Sequence, residues 1–80
     1  MRLPRDLTGR ELAVLLRQHY DYEIVRQTGS HMRLTTLTGG EHRVTVPAGQ
    51  LRVGTLAGIL SDIAAYHRIT RSELEERLFS

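Results

Sequence analysis

The chain has 80 residues, with 11 arginines, no lysine, nine acidic residues and no cysteine. That length sets one small domain near the lower limit for a self-sufficient core. The lack of cysteine excludes disulfides and thiolate metal sites, and no apolar run approaches the roughly 18 residues of a membrane span. The net charge of +2 is unevenly placed, with eight arginines against five acids in residues 1–53 and three against four in 54–80. An anion site is therefore expected in the first two thirds. The N-terminus, Met1-Arg2-Leu3-Pro4, has no signal-peptide core, so the expected location is cytoplasmic.

The first predicted element is a helix over 8–19. Thr8 and Glu11 make a capping box, Leu7 and Leu12 occupy the staple positions, and Leu12, Leu15, Leu16 and His19 recur as one stripe. The period then changes. Residues 22–27, 31–36 and 41–47 read as three strands, separated by turns at Thr28-Gly29-Ser30 and at 37–40. Turns this short imply an antiparallel meander. A loop over 48–54 leads to a second helix over 55–67, with Thr55 as its cap and Leu56, Ile59, Leu60, Ile63 and Ala64 on one face. Thr70 and Glu73 repeat the capping box and begin a short helix over 70–78. The expected class is α+β, in the order α-β-β-β-α with a C-terminal helix. Three antiparallel strands are covered by helices on one face, as a single domain over 1–80.

Strand alternation then assigns faces. Val44 and Val46 must look toward the helices, and Met32 and Leu34 are their counterparts in the second strand. Pairing Met32 with Val44 and Leu34 with His42 keeps all four inside; a shift of two residues would keep the faces, whereas a shift of one would bury Arg33. The outer face then carries His31, Arg33, Thr35, Arg43 and Thr45. In this register Arg33 opposes Arg43, and like charges directly opposite repel, a repulsion that a bound anion would relieve.

His31 is the residue with chemical potential. It follows a Gly-Ser turn onto an open face beside arginines, and an imidazole exchanges protons near neutral pH. The plainer reading is an exposed strand histidine. His42 reads as a boundary core residue, and His19 and His67 as packing residues on apolar helix faces. The four histidines lie on four elements without ligand spacing, so neither a metal nor a cofactor is expected. Thr38-Gly39-Gly40 reads as a turn and not a phosphate cradle, and residues 73–77 as a solvated helix face. Few aromatics accompany the arginines, which argues against base stacking on the sheet.

Four pieces of the chain stand in a recognisable order: Leu3-Pro4 with the helix start at Thr8-Gly9-Arg10-Glu11, then Val25-Arg26-Gln27 followed by Gly29-Ser30-His31, then Val44-Thr45-Val46-Pro47, then Gly54-Thr55-Leu56 with Ile59-Leu60. In that order and spacing, residues 3–60 resemble the HicA family of toxin mRNA interferases. The four residues Gly29-Ser30-His31-Met32 also match the scar of a cut affinity tag, but the family motif accounts for the first three. The resemblance implies a fold like the double-stranded-RNA-binding domain and metal-independent endonucleolytic cleavage of mRNA, with His31 catalytic. It also implies a HicB-like antitoxin over the active face; the lack of a long apolar run separately leaves no membrane partner expected. Arg26, Ser30, Arg33 and Arg43 are the RNA contacts expected beside His31. This chain departs from the family in two places. Ala48-Gly49-Gln50 stands where a histidine or lysine is common, and Asp21 replaces the glycine before Tyr22. The alternatives are a non-catalytic double-stranded-RNA-binding-like module and a pure docking protein.

Overall fold

In the computed structural model, which describes residues 3–80, the first helix begins where its capping residues dictate. Helix α1 spans Gly9–Tyr20. The Glu11 amide donates to the Thr8 hydroxyl at 3.1 Å, and the Thr8 amide donates to the Glu11 carboxylate at 2.9 Å. Both amides lie at the helix start, where no intrahelical partner exists. Gly9 is needed for space, since a Cβ there would run into the Pro47 carbonyl. The buried stripe is Gly9, Leu12, Ala13, Leu16 and Tyr20. His19, expected on this stripe, is exposed. The helix runs one residue further than expected, and Tyr20, four residues after Leu16, completes the stripe instead. Asp21 ends the helix at φ 59, a left-handed conformation that aspartate tolerates better than most residues. The missing family glycine therefore leaves this turn intact.

Strands β1 (Glu23–Thr28), β2 (His31–Thr36) and β3 (His42–Pro47) form an antiparallel sheet in that order, followed by α2 (Val53–His67) and α3 (Arg71–Phe79). The helices pack on one face. Met32, Leu34, Val44 and Val46 are buried there with Leu12, Leu16, Leu56, Leu60, Ile63 and Leu74. Each such side chain contributes about 1.5–3 kcal/mol by leaving water, so the inward faces fix the layer arrangement. No helix among the described residues is long and apolar enough to cross a membrane.

Three expectations are corrected. Strand β3 is shifted by two residues, so that Met32 opposes Val46, Leu34 opposes Val44, and Arg33 opposes Thr45 rather than Arg43. The faces survive, as a two-residue shift requires. The cause is at the loop end. Thr36 is buried and donates to the Tyr20 carbonyl at 2.8 Å, while Gly39 and Gly40 take φ values of 72 and 126. The ladder cannot continue through those glycines, so Thr36 pairs with His42 as the last rung. Helix α2 starts at Val53, with Arg52 at the cap position and no side-chain cap; Thr55 lies inside the helix. Glu75, expected on a solvated face, is buried, with its carboxylate 2.9 Å from the Arg71 guanidinium.

Candidate functional site

The β1–β2 hairpin presents His31. Thr28 pairs with His31 across a two-residue turn, and Gly29 sits at φ 58. A positive φ at the first turn position is what a tight Gly-X hairpin demands. The turn is tied down from behind. The Ala48 amide donates to the Ser30 carbonyl at 2.6 Å, and the Gly9 and Arg10 amides donate to the Gly49 and Ala48 carbonyls at 2.8 and 3.3 Å. The residues after β3 thus clamp the histidine turn to the start of α1. Ser30 itself is exposed, and its recorded contact is made by its backbone oxygen.

Arg26 reaches the same face through a bulge. Regular alternation from Tyr22 through Ile24 would turn Arg26 toward the helices. The β1–β2 register instead shifts between Ile24 and Arg26, so that Ile24 opposes Leu34 and Arg26 opposes Arg33. An extra residue re-aims the side chains that follow it. Val25 and Arg26 therefore line the outer face with Arg33, Thr35 and Arg43. A shallow depression there is lined by Arg26, Thr28, His31, Arg33 and Thr45. The opposed arginines are Arg26 and Arg33, not Arg33 and Arg43. Among the described residues neither has an ion-pair partner, whereas the Arg43 guanidinium lies 3.2 Å from the Glu41 carboxylate. Glu23 opposes Thr35 one rung further on. The face is therefore basic at the His31 end and mixed in charge at the other.

A second histidine neighbourhood lies on the helix side. Tyr22 is fully buried, and its hydroxyl lies 2.7 Å from His42 Nδ1 and 3.1 Å from His67 Nε2. His42 Nε2 is 3.4 Å from an Asp62 carboxylate oxygen, and its ring stacks on Tyr66 at 4.5 Å. One proton arrangement satisfies every group: His42 Nε2–H donates to Asp62, Tyr22 O–H donates to His42 Nδ1, and His67 Nε2–H donates to the Tyr22 oxygen. Burial raises the Tyr22 hydroxyl above its ordinary value, with Tyr66, Asp62 and Tyr20 adding to the effect. Desolvation, and then His42, lower His67. His42 and His67 are both half-buried, the packing positions expected of them.

The structure thus brings His31, Arg33 and Arg26 together, puts Arg43 diagonally beside them, and leaves Ser30 at the turn. The bulge and the backbone clamp were missed. The bulge left one signal, because Ile24 and Arg26 two residues apart would otherwise share the helix side. Among the described residues no three His, Asp or Glu side chains converge as metal ligands. A family model described as the HicA toxin of bacterial toxin–antitoxin systems matches residues 9–64. No curated protein and no solved structure matches the chain.

Proposed function

The chain belongs to the HicA toxin family and so is the toxin of a toxin–antitoxin pair with an antitoxin partner; we propose that it acts as an mRNA endoribonuclease whose catalytic residue is His31. The observation carrying this reading is the exposed imidazole at the head of β2 beside two directly opposed arginines that make no ion pair among the described residues. Opposed cations repel, and an RNA phosphate between them converts that repulsion into attraction and bidentate hydrogen bonding. Arg26 and Arg33 hold the scissile phosphate, Arg43 extends the contact, and the exposed Ser30 adds a hydroxyl contact to the RNA backbone.

The 2′-oxygen attacks the adjacent phosphorus as its proton departs. The bond to the 5′-oxygen breaks and that oxygen leaves with a proton, giving a 2′,3′-cyclic phosphate and a 5′-hydroxyl. His31 moves a proton in this step, and the arginines offset the charge gathering on the phosphate oxygens. The 2′-hydroxyl is the nucleophile, which is why RNA and not DNA is cut. No metal or co-reactant enters the balance. The partner is a HicB-like antitoxin whose acidic groups cover the arginine face.

The test is His31→Ala with three readouts. Thermal stability should stay within about 0.5 kcal/mol, since an exposed strand-end residue adds little packing. RNA affinity at fixed salt should be largely kept, because it rests on arginine–phosphate contacts. The cleavage rate should fall by at least about 10², the lower range for a lost proton shuttle. Undiminished cleavage by the folded variant removes the assignment. Wild-type protein that protects RNA without shortening it is instead a binding module.

A further inference from the structure

The α1 side of β1 carries a cleft that the proposed chemistry does not use. It is lined by Arg10, Ala13, Val14, Arg17, Glu23 and Ile24. Arg10, Val14 and Arg17 follow one another at helical spacing and form one exposed face of α1. Val14 is 55% exposed and Ile24 is 49% exposed. Large apolar side chains are costly to leave in water, and these two sit together between two cations. Among the described residues neither Arg10 nor Arg17 makes an ion pair. The bulge in β1 separates the two surfaces, because Ile24 remains on the α1 side while Val25 and Arg26 turn to the face of His31. Strand β1 is thus the wall between the cleft and the proposed RNA site.

We propose that this cleft anchors the antitoxin, taking an acidic segment with an apolar side chain at its centre. The apolar side chain packs between Val14 and Ile24. Carboxylates on either side of it meet Arg10 and Arg17, whose Cα atoms are about 10 Å apart along α1 at the helical rise. The charge complementarity selects an acidic ligand, and the apolar centre selects protein over RNA, since a phosphate backbone gains nothing from Val14 or Ile24. Glu23 at the rim takes a basic or amide donor from the same segment, which fixes its direction. An antitoxin seated here is held beside the arginine face, so acidic groups over His31 act at raised effective concentration. This inference rests on the antitoxin partnership of the family and not on the ribonuclease reading.

The experiment uses the full chain and its cognate HicB-like antitoxin. The double variant Arg10→Glu/Arg17→Glu and the single variant Val14→Asp change exposed residues, so circular dichroism should be unchanged for each. Both should bind the antitoxin at least tenfold more weakly at fixed salt, and the wild-type affinity should decline with rising salt. RNA affinity of the free toxin should stay within about twofold for Val14→Asp and should fall less than antitoxin affinity for the double variant, as the cleft lies across β1 from Arg26 and Arg33. Unchanged antitoxin affinity in both variants overturns the anchor. A loss of RNA affinity with antitoxin binding intact makes the cleft an RNA track and overturns it as well. Because antitoxin affinity is read without any cleavage assay, failure of the anchor is distinguishable from failure of the ribonuclease reading.

Discussion

His31 and the pair His42–His67 share a side-chain type and almost nothing else. His42 and His67 have their ring nitrogens within hydrogen-bonding distance of Tyr22 and Asp62, and their faces lie against tyrosines. His31 is exposed, and no side-chain hydrogen bond to it is found among the described residues; it shares a shallow depression with Thr28, Thr45, Arg26 and Arg33. A histidine with its partners supplied by the protein has structural work, because moving a proton there disrupts the contacts that bury it. A histidine whose partners are missing, beside cations without counter-ions, has capacity left for a ligand. The difference lies in the number of satisfied atoms, which composition does not reveal.

The largest effect that can break this comparison lies with the cations. Replacing Arg26 and Arg33 together by glutamine should lower RNA affinity by at least tenfold, and it should flatten the dependence of affinity on salt, since each neutralised phosphate contributes to that slope. Stability should hold or rise slightly, because a like-charge pair directly across a ladder is destabilising. A filter-binding titration at several salt concentrations, beside a thermal melt, reads both. If affinity and salt slope match the wild type, the unfilled surroundings of His31 are only an exposed sheet face.

The next effect belongs to the other neighbourhood. Tyr22→Phe removes the hydroxyl between His42 Nδ1 and His67 Nε2 and leaves both half-buried nitrogens short of a partner. The cost should be about 1–3 kcal/mol, the usual penalty for stranding a buried polar group. RNA cleavage per folded molecule should stay the same, since the cluster lies on the helix side of the sheet. Chemical denaturation and a single-turnover cleavage assay on one sample separate the two quantities. A variant as stable as wild type but slower at cleavage would reverse the roles assigned to the two regions.

Most of the layer arrangement was legible, and the reasons are local. Thr8–Glu11 and Thr70–Glu73 start helices by chemistry contained in four residues, so no distant contact can mask the signal. The faces of β2 and β3 followed from Val44, Val46, Met32 and Leu34, because the period of a strand leaves only two choices. Register depended on how Thr36 bonds to the Tyr20 carbonyl sixteen residues earlier, which no window on the hairpin contains. The start of α2 failed similarly. Thr55 is a good cap by type, but Leu51 is buried just before the helix, and burying such a side chain outweighs a cap of about 1 kcal/mol. At the candidate site, His31 and Arg33 could be placed from alternation alone. Arg26 required the bulge, and the Tyr22 cluster required three elements to meet.

The smallest effect is a dependence of stability on pH that belongs to the helix-side neighbourhood. His67 is lowered from the ordinary imidazole value of 6.5, first by desolvation and then by His42. Its folded state therefore binds a proton less readily than its unfolded state. Above about pH 6.5 the ring is neutral in both states and stability is at its full value. As the pH falls through that value the unfolded chain takes up the proton first, so stability declines, and the decline ends below the lowered folded value. The groups that face the ring fit this direction. Tyr20 from α1 packs against it, Tyr22 and Tyr66 enclose it edge-on, and His42 of β3 would repel it if charged. Arg77 of α3 reaches the Tyr20 hydroxyl at 3.4 Å and adds further positive charge nearby. The Asp62 carboxylate makes its contact with His42. Thermal melts from pH 8 to pH 5 should therefore show a falling midpoint. His67→Gln, which has no proton to gain, should show a shallower fall. If His67→Gln kept the full wild-type slope, His67 would not be the group that couples folding to pH.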